Sequence, residues 1–191
     1  ASTMGMGTPK EGMLMEFTFS GKHGDNNGYL YWLGTEAKTK KYVNPHSNNR
    51  VRVTSSGMKD GSEADILSRK RTECRLMSDP AKPVWLCLDF GRTRLLEPSN
   101  VTLCHGSAKA DCDLTHFTFE GHDGSSSATW VDLSLTRPHL QSAFGVDTFK
   151  LAGNARRFRF IRIISTGNQA NGENALSICA FEFYGRLYRN K

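Results

Sequence analysis

Apolar residues recur at every second position in several short runs, and glycine, asparagine and aspartate separate those runs. Met15, Phe17 and Phe19 alternate with Glu16 and Thr18, Val51 and Val53 with Arg50 and Arg52, and Phe117 and Phe119 with His116 and Thr118. A period of two places one row of side chains on each face of a strand, so each run reads as a half-buried β-strand. Val84–Phe90, Val101–Cys104, Trp130–Leu135 and Leu176–Tyr184 add further β-prone segments. In Arg157–Ile164 the alternation slips after Phe160, which predicts a bulge or burial of both faces there. The stretch from Gly21 to Gly28 is too rich in glycine and asparagine to be anything but a loop, and Asp123-Gly124 signals a tight reversal. Helical signals are poor; the best is Gly61–Leu67, one or two turns opened by a Ser62 cap. The expected fold is an all-β jelly-roll sandwich with few or no helices.

A chain of 191 residues suits one domain, predicted over 13–191, with 1–12 as a disordered leader or an expression scar. No apolar run approaches the roughly 20 residues that cross a bilayer, and Lys10 and Glu11 precede any apolar run, unlike a secretory signal. Basic residues outnumber acidic ones 25 to 19, a formal net charge of +6. The basic residues are scattered; the densest cluster, Arg69-Lys70-Arg71, has Asp65 and Glu73 nearby, and no nucleic-acid-binding signature accompanies it. Nucleic acid and membrane insertion are therefore not expected. Five cysteines, an odd number with Cys87 and Cys179 inside apolar runs, fit reduced buried thiols and an intracellular, cytoplasmic protein. Cys104, His105 and Cys112 make a poor zinc site, because neighbours on a strand point to opposite faces and a fourth ligand is missing.

Several segments follow one another in a telling order. Tyr31-Trp32-Leu33-Gly34-Thr35 comes first, then Val43-Asn44-Pro45, Asp65-Ile66-Leu67-Ser68-Arg69, and Trp85 with Leu88-Asp89-Phe90-Gly91. Val101-Thr102-Leu103 before His105-Gly106, Asp123-Gly124 before Trp130, Arg162-Ile163 before Thr166-Gly167, Leu176-Ser177 and Phe181–Gly185 complete the series. This order resembles the discoidin-like, galactose-binding-domain-like module, in the version found inside HECT-type ubiquitin ligases and some BTB proteins. The resemblance spans roughly Phe17 to Arg186. It departs at Cys104, where related modules carry an arginine, and it lacks the terminal disulfide of secreted relatives. The resemblance implies a recognition module of a larger intracellular protein, a ubiquitin ligase or its adaptor, docking a protein partner or substrate. A glycan-binding, lectin-like domain is the alternative, and peripheral membrane association a third.

No nucleophile elbow, phosphate-cradling loop or acid pair appears, so an enzyme is not expected. No cofactor is implied, although Asp25, Asp111, Asp113 and Asp123 lie in loops that offer oxygen ligands to calcium. Trp32 reads as core or as a stacking platform, Asn44 and His46 as turn residues or a polar rim. Arg69 either pairs with Asp65 or presents its fork to an anion, and His105 is structural or a loop-end contact. Glu182 reads as an internal partner, with Arg162 as a candidate. The binding site is predicted where Trp32, Asn44, His46, Arg69 and His105 converge near one end of the sandwich.

Overall fold

A computed structural model describes residues 12–109, 112–135, 138–141 and 143–191. Residues 1–11 of the expected leader lie outside these, while the carbonyl of Gly12 accepts a hydrogen bond from the Arg189 amide. Two antiparallel sheets face each other. The first holds β3 (Met58–Asp60), β4 (Arg75–Met77), β11 (Ala175–Arg189), β6 (Arg94–His105) and β9 (Val146–Lys150) in that order, with β1 (Met13–Phe17) also paired to β11. The second holds β2 (Arg52–Ser55), β5 (Trp85–Asp89), β10 (Phe160–Ser165), β7 (Phe117–His122) and β8 (Val131–Asp132). This is the all-β sandwich that the alternating runs predict.

Inward-facing rows close the core: Val101, Leu103 and Phe183 from the first sheet meet Leu86, Leu88, Phe119, Ile161 and Ile163 from the second, each at most 1% exposed. Burying such side chains contributes roughly 1.5–3 kcal/mol apiece, which makes this layer the main source of stability. The slip after Phe160 has a cause other than a bulge. Phe158 bridges to Leu96 of the first sheet, whereas Phe160–Ser165 alternates regularly in the second, so the chain changes sheets across Arg159. The β11 strand does bend, at Gly185, where the register against β6 shifts. Its φ of +137° suits glycine, and an added Cβ would collide with the Glu97 carbonyl.

Among the described residues, two short helical pieces interrupt the strands. The Gly61–Leu67 signal is realised only as a 3-10 turn, Asp65–Leu67, whose Ncap is Ala64 rather than Ser62; Ser62 instead donates from its amide and its hydroxyl to Asp65. The α1 helix (Tyr29–Gly34) was not foreseen. Its Ncap residue is Gly28, which has no side chain to cap with; Glu182 of β11 instead accepts from the Leu30 amide at 2.7 Å and the Tyr31 amide at 3.0 Å. An acid brought from the sheet thus does the work of an Ncap side chain.

Candidate functional site

Side chains of β6, β9 and β11 form the floor of a cavity of about 440 Å³. Thr102 and Cys104 of β6, Val146 of β9, and Ala180, Glu182 and Tyr184 of β11 build that floor. The Gly21–Gly28 loop supplies one wall with His23 and Asn26. The stretch following the 3-10 turn supplies another with Arg69, Lys70 and Arg71, and Phe144 adds an apolar edge.

The loop wall is held in place. Asp25 accepts hydrogen bonds from the Ser20 amide (2.9 Å), the Asn27 amide (2.9 Å) and the Tyr184 hydroxyl (2.8 Å). Burial alone would raise the Asp25 pKa, yet these donors outweigh it and hold the carboxyl below its ordinary value. His23 stacks on Phe19, with ring centroids 5.8 Å apart, and its Nδ1 lies 2.9 Å from Thr148 Oγ1. The loop is glycine-rich but anchored at both walls.

Arg69 has a positive φ of 61°, an uncommon conformation for a residue with a side chain. Its guanidinium lies 4.7 Å from the Tyr31 ring and 5.4 Å from the Tyr42 ring, and donates to Asn26 Oδ1. Glu182 Oε2 sits 3.8 Å away. The buried Glu182 carboxyl also receives the Leu30, Tyr31 and Phe183 amides. Desolvation nevertheless dominates and pushes its pKa up to about 7. Beneath them the Cys179 thiol donates to Cys104 Sγ at 3.2 Å, an arrangement that favours the thiolate at Cys104 and disfavours it at Cys179.

Of the five residues predicted to converge, Arg69 alone lines this cavity. His105 is fully buried: its Nε2 lies 2.7 Å from the Cys112 carbonyl and its Nδ1 accepts from the Ser107 amide at 3.3 Å, so both ring nitrogens brace a loop from inside. Asn44 donates to the Ala64 carbonyl and accepts from the His46 amide, and His46 Nδ1 accepts from the Val53 amide. These two residues tie a turn to its neighbours. Trp32 packs edge-on against Phe17 at 5.7 Å, where the core reading of it applies. Two pairings also differ. Arg69 meets Asn26 and Glu182 rather than Asp65, which turns to Ser62. Arg162 pairs with Glu120 at 2.6 Å, not with Glu182.

The sequence marked Arg69 as a site residue and Gly21–Gly28 as a long polar loop, and the structure brings the two together, whereas Lys70 and Arg71 were read only as part of a basic run and Tyr42 carried no signal. A second concavity of about 340 Å³ lies on the outer face of the other sheet, between Trp85 and Trp130. There the Arg162 guanidinium lies 3.9 Å from the Trp130 ring, already neutralised by Glu120. Among the described residues no group of three or more His, Cys, Asp or Glu side chains is placed to hold a metal ion. Of the four loop aspartates, Asp111 lies outside the described residues, Asp25 is engaged as above, and Asp123 accepts from the Ser125 amide. No described helix is long and apolar enough to cross a membrane.

Comparison with solved structures places the architecture. A Clostridium perfringens carbohydrate-binding module solved with GalNAc-β-1,3-galactose superposes with a TM-score of 0.54 at 10% identity, covering 71% of this chain and 96% of the module. The fold is an all-β jelly-roll sandwich like that of this module. A fucolectin from striped bass serum matches equally well, with a TM-score of 0.54 at 14% identity over 71% of this chain and 45% of the lectin. No protein-family model matches the sequence. Among curated proteins, the E3 ubiquitin-protein ligase Ufd4 of Drosophila melanogaster is 31% identical over 172 residues, 85% of this chain. A BTB/POZ domain-containing protein of Arabidopsis thaliana is 26% identical over 178 residues, 86% of this chain. This sandwich spans 6% and 21% of the lengths of those two proteins.

Proposed function

We propose that this sandwich is a non-catalytic recognition module that binds a carbohydrate in the cavity between the Gly21–Gly28 loop and Arg69. The anchoring of that cavity carries the reading. Asp25 fixes one wall, two tyrosine rings and Asn26 fix Arg69 on the other, and the volume falls in the roughly 300–1,000 Å³ range of small-molecule sites. Sugars require directed hydrogen bonds beside an apolar face, and Asn26, Thr102 and Arg69 beside Phe144 and Val146 offer that mixture. Carbohydrate-binding proteins among those sharing the fold support the same reading. A glycan array with the purified chain tests it, followed by calorimetry on each hit. Binding that Arg69→Ala abolishes and surface variants distant from the cavity leave alone is the expected result; silence across the array ends the reading.

A second reading rests on the 31% identity with Ufd4. On it, the module sits within a larger cytoplasmic ubiquitin ligase or adaptor and presents a protein substrate. Capture of a ubiquitylated partner by the chain, lost on Arg69→Ala, favours this reading over the first.

A further inference from the structure

The charge around the cavity narrows what it takes. Five arginines elsewhere in the fold are held by carboxylates: Arg50 by Glu36, Arg75 by Asp60 and Glu173, Arg159 by Asp89, Arg162 by Glu120 and Arg186 by Glu16 and Glu97. Lys70 and Arg71 line the cavity, are exposed, and form no ion pair with a described carboxylate. Arg69 beside them is fixed by stacking and by Asn26, which accepts only one of its five donors.

Of the two acids nearby, only Glu182 faces Arg69, at 3.8 Å, and both acids are engaged by other donors. Asp25 directs its oxygens to Ser20, Asn27 and Tyr184, and Glu182 spends its own on three backbone amides. Burial also pushes the Glu182 pKa up, which weakens its hold on the Arg69 charge. Three basic side chains thus line one cavity together with an apolar edge formed by Phe144 and Val146.

We infer that the ligand of this cavity is an acidic sugar, whose carboxylate or sulfate is seated by Arg69 and Arg71 while its ring lies toward Phe144. This rests on the carbohydrate reading above and adds the charge of the ligand. A planar guanidinium held by tyrosine faces suits bidentate contact with an oxyanion, and little ordering remains to be done on binding.

The test is calorimetry on the full chain with four probes: a hyaluronan tetrasaccharide, its carboxyl-reduced counterpart, a chondroitin sulfate tetrasaccharide and a phosphoserine peptide. The expected result is binding of an acidic oligosaccharide about tenfold or more tighter than the reduced one, weakening as salt rises. Arg71→Gln, at an exposed position without an ion-pair partner among the described residues, is expected to remove most of that preference without loss of folding, and Arg69→Lys more of it. The hyaluronan and chondroitin sulfate arms separate carboxylate from sulfate. Equal binding of the acidic and reduced sugars overturns the inference and leaves the carbohydrate reading standing. Binding of the phosphopeptide alone overturns both in favour of a protein ligand, and binding of none overturns both.

Discussion

Gly28 packs directly against the side chain of Glu182, so closely that a methyl group on Gly28 would occupy the space of the Glu182 carboxyl and its Cγ. The contact joins the start of α1 to the middle of β11. Because the same carboxyl accepts the Leu30 and Tyr31 amides, anything that displaces it uncaps the helix and disturbs the cavity floor together. Gly28→Ala is expected to cost roughly 2–4 kcal/mol, the sum of overpacking and a lost cap. Urea unfolding measures it, and a double cycle with Glu182→Ala is expected to show the two changes costing less together than separately. Independent, additive costs would show that the contact does not matter.

Glu182 also sets a pH dependence. Its ordinary value is 4.5 and its folded value is raised to about 7. Between those two values the folded protein keeps a proton that the unfolded chain has released, so stability falls as pH rises from about 4.5 to 7 and is level above. The raised value corresponds to on the order of 3 kcal/mol across that window. Thermal melts of the wild type and Glu182→Gln across pH 4.5–8 isolate the effect as the difference between their slopes. Parallel curves would exclude it. Asp25 and Asp89, whose values are lowered, act in the opposite sense and below this window: their contribution is present above the unfolded value near 3.8 and is lost on acidification.

His105→Ala is expected to destabilise by roughly 2–4 kcal/mol, since it opens a void and strands the Cys112 carbonyl and the Ser107 amide. Ligand affinity measured well below the melting temperature should stay within about twofold, as expected for a residue that touches no ligand. A large loss of affinity with unchanged stability would return His105 to the site.

Thiol chemistry should rank the cysteines. All five are free and buried. Burial pushes Cys87 up to about 12 and Cys74 up to about 11, whereas the thiol of Cys179 favours the thiolate at Cys104, which lines the cavity. Timed alkylation of the native protein followed by peptide mapping should therefore label Cys104 ahead of Cys74 and Cys87. Labelling of Cys87 ahead of Cys104 would contradict the ordering. Bound ligand is expected to slow Cys104.

The period-two runs determined the class of fold, because the alternation of side chains across a strand is local and needs only a few consecutive residues. Phe117 and Phe119, or Ile161 and Ile163, announce their buried face without knowledge of any partner. Glycine and asparagine content marked the Gly21–Gly28 loop, and charge marked the basic stretch at Arg69. Tertiary structure decided the rest. The six residues of α1 carry no cap of their own, and their helix depends on a carboxyl 152 positions away from Leu30. His105 looked available because nothing in its neighbours reveals that the Cys112 carbonyl folds back over its ring. The slip at Phe160 was visible, but its cause was a change of sheet that only the pairing of Phe158 with Leu96 exposes. Likewise the cavity exists only because β11 brings Glu182 and Tyr184 beneath Asn26 and Arg69. Hydrogen bonds, stacking and close packing between residues far apart in the chain depend on distance in space, and a linear sequence records order without distance.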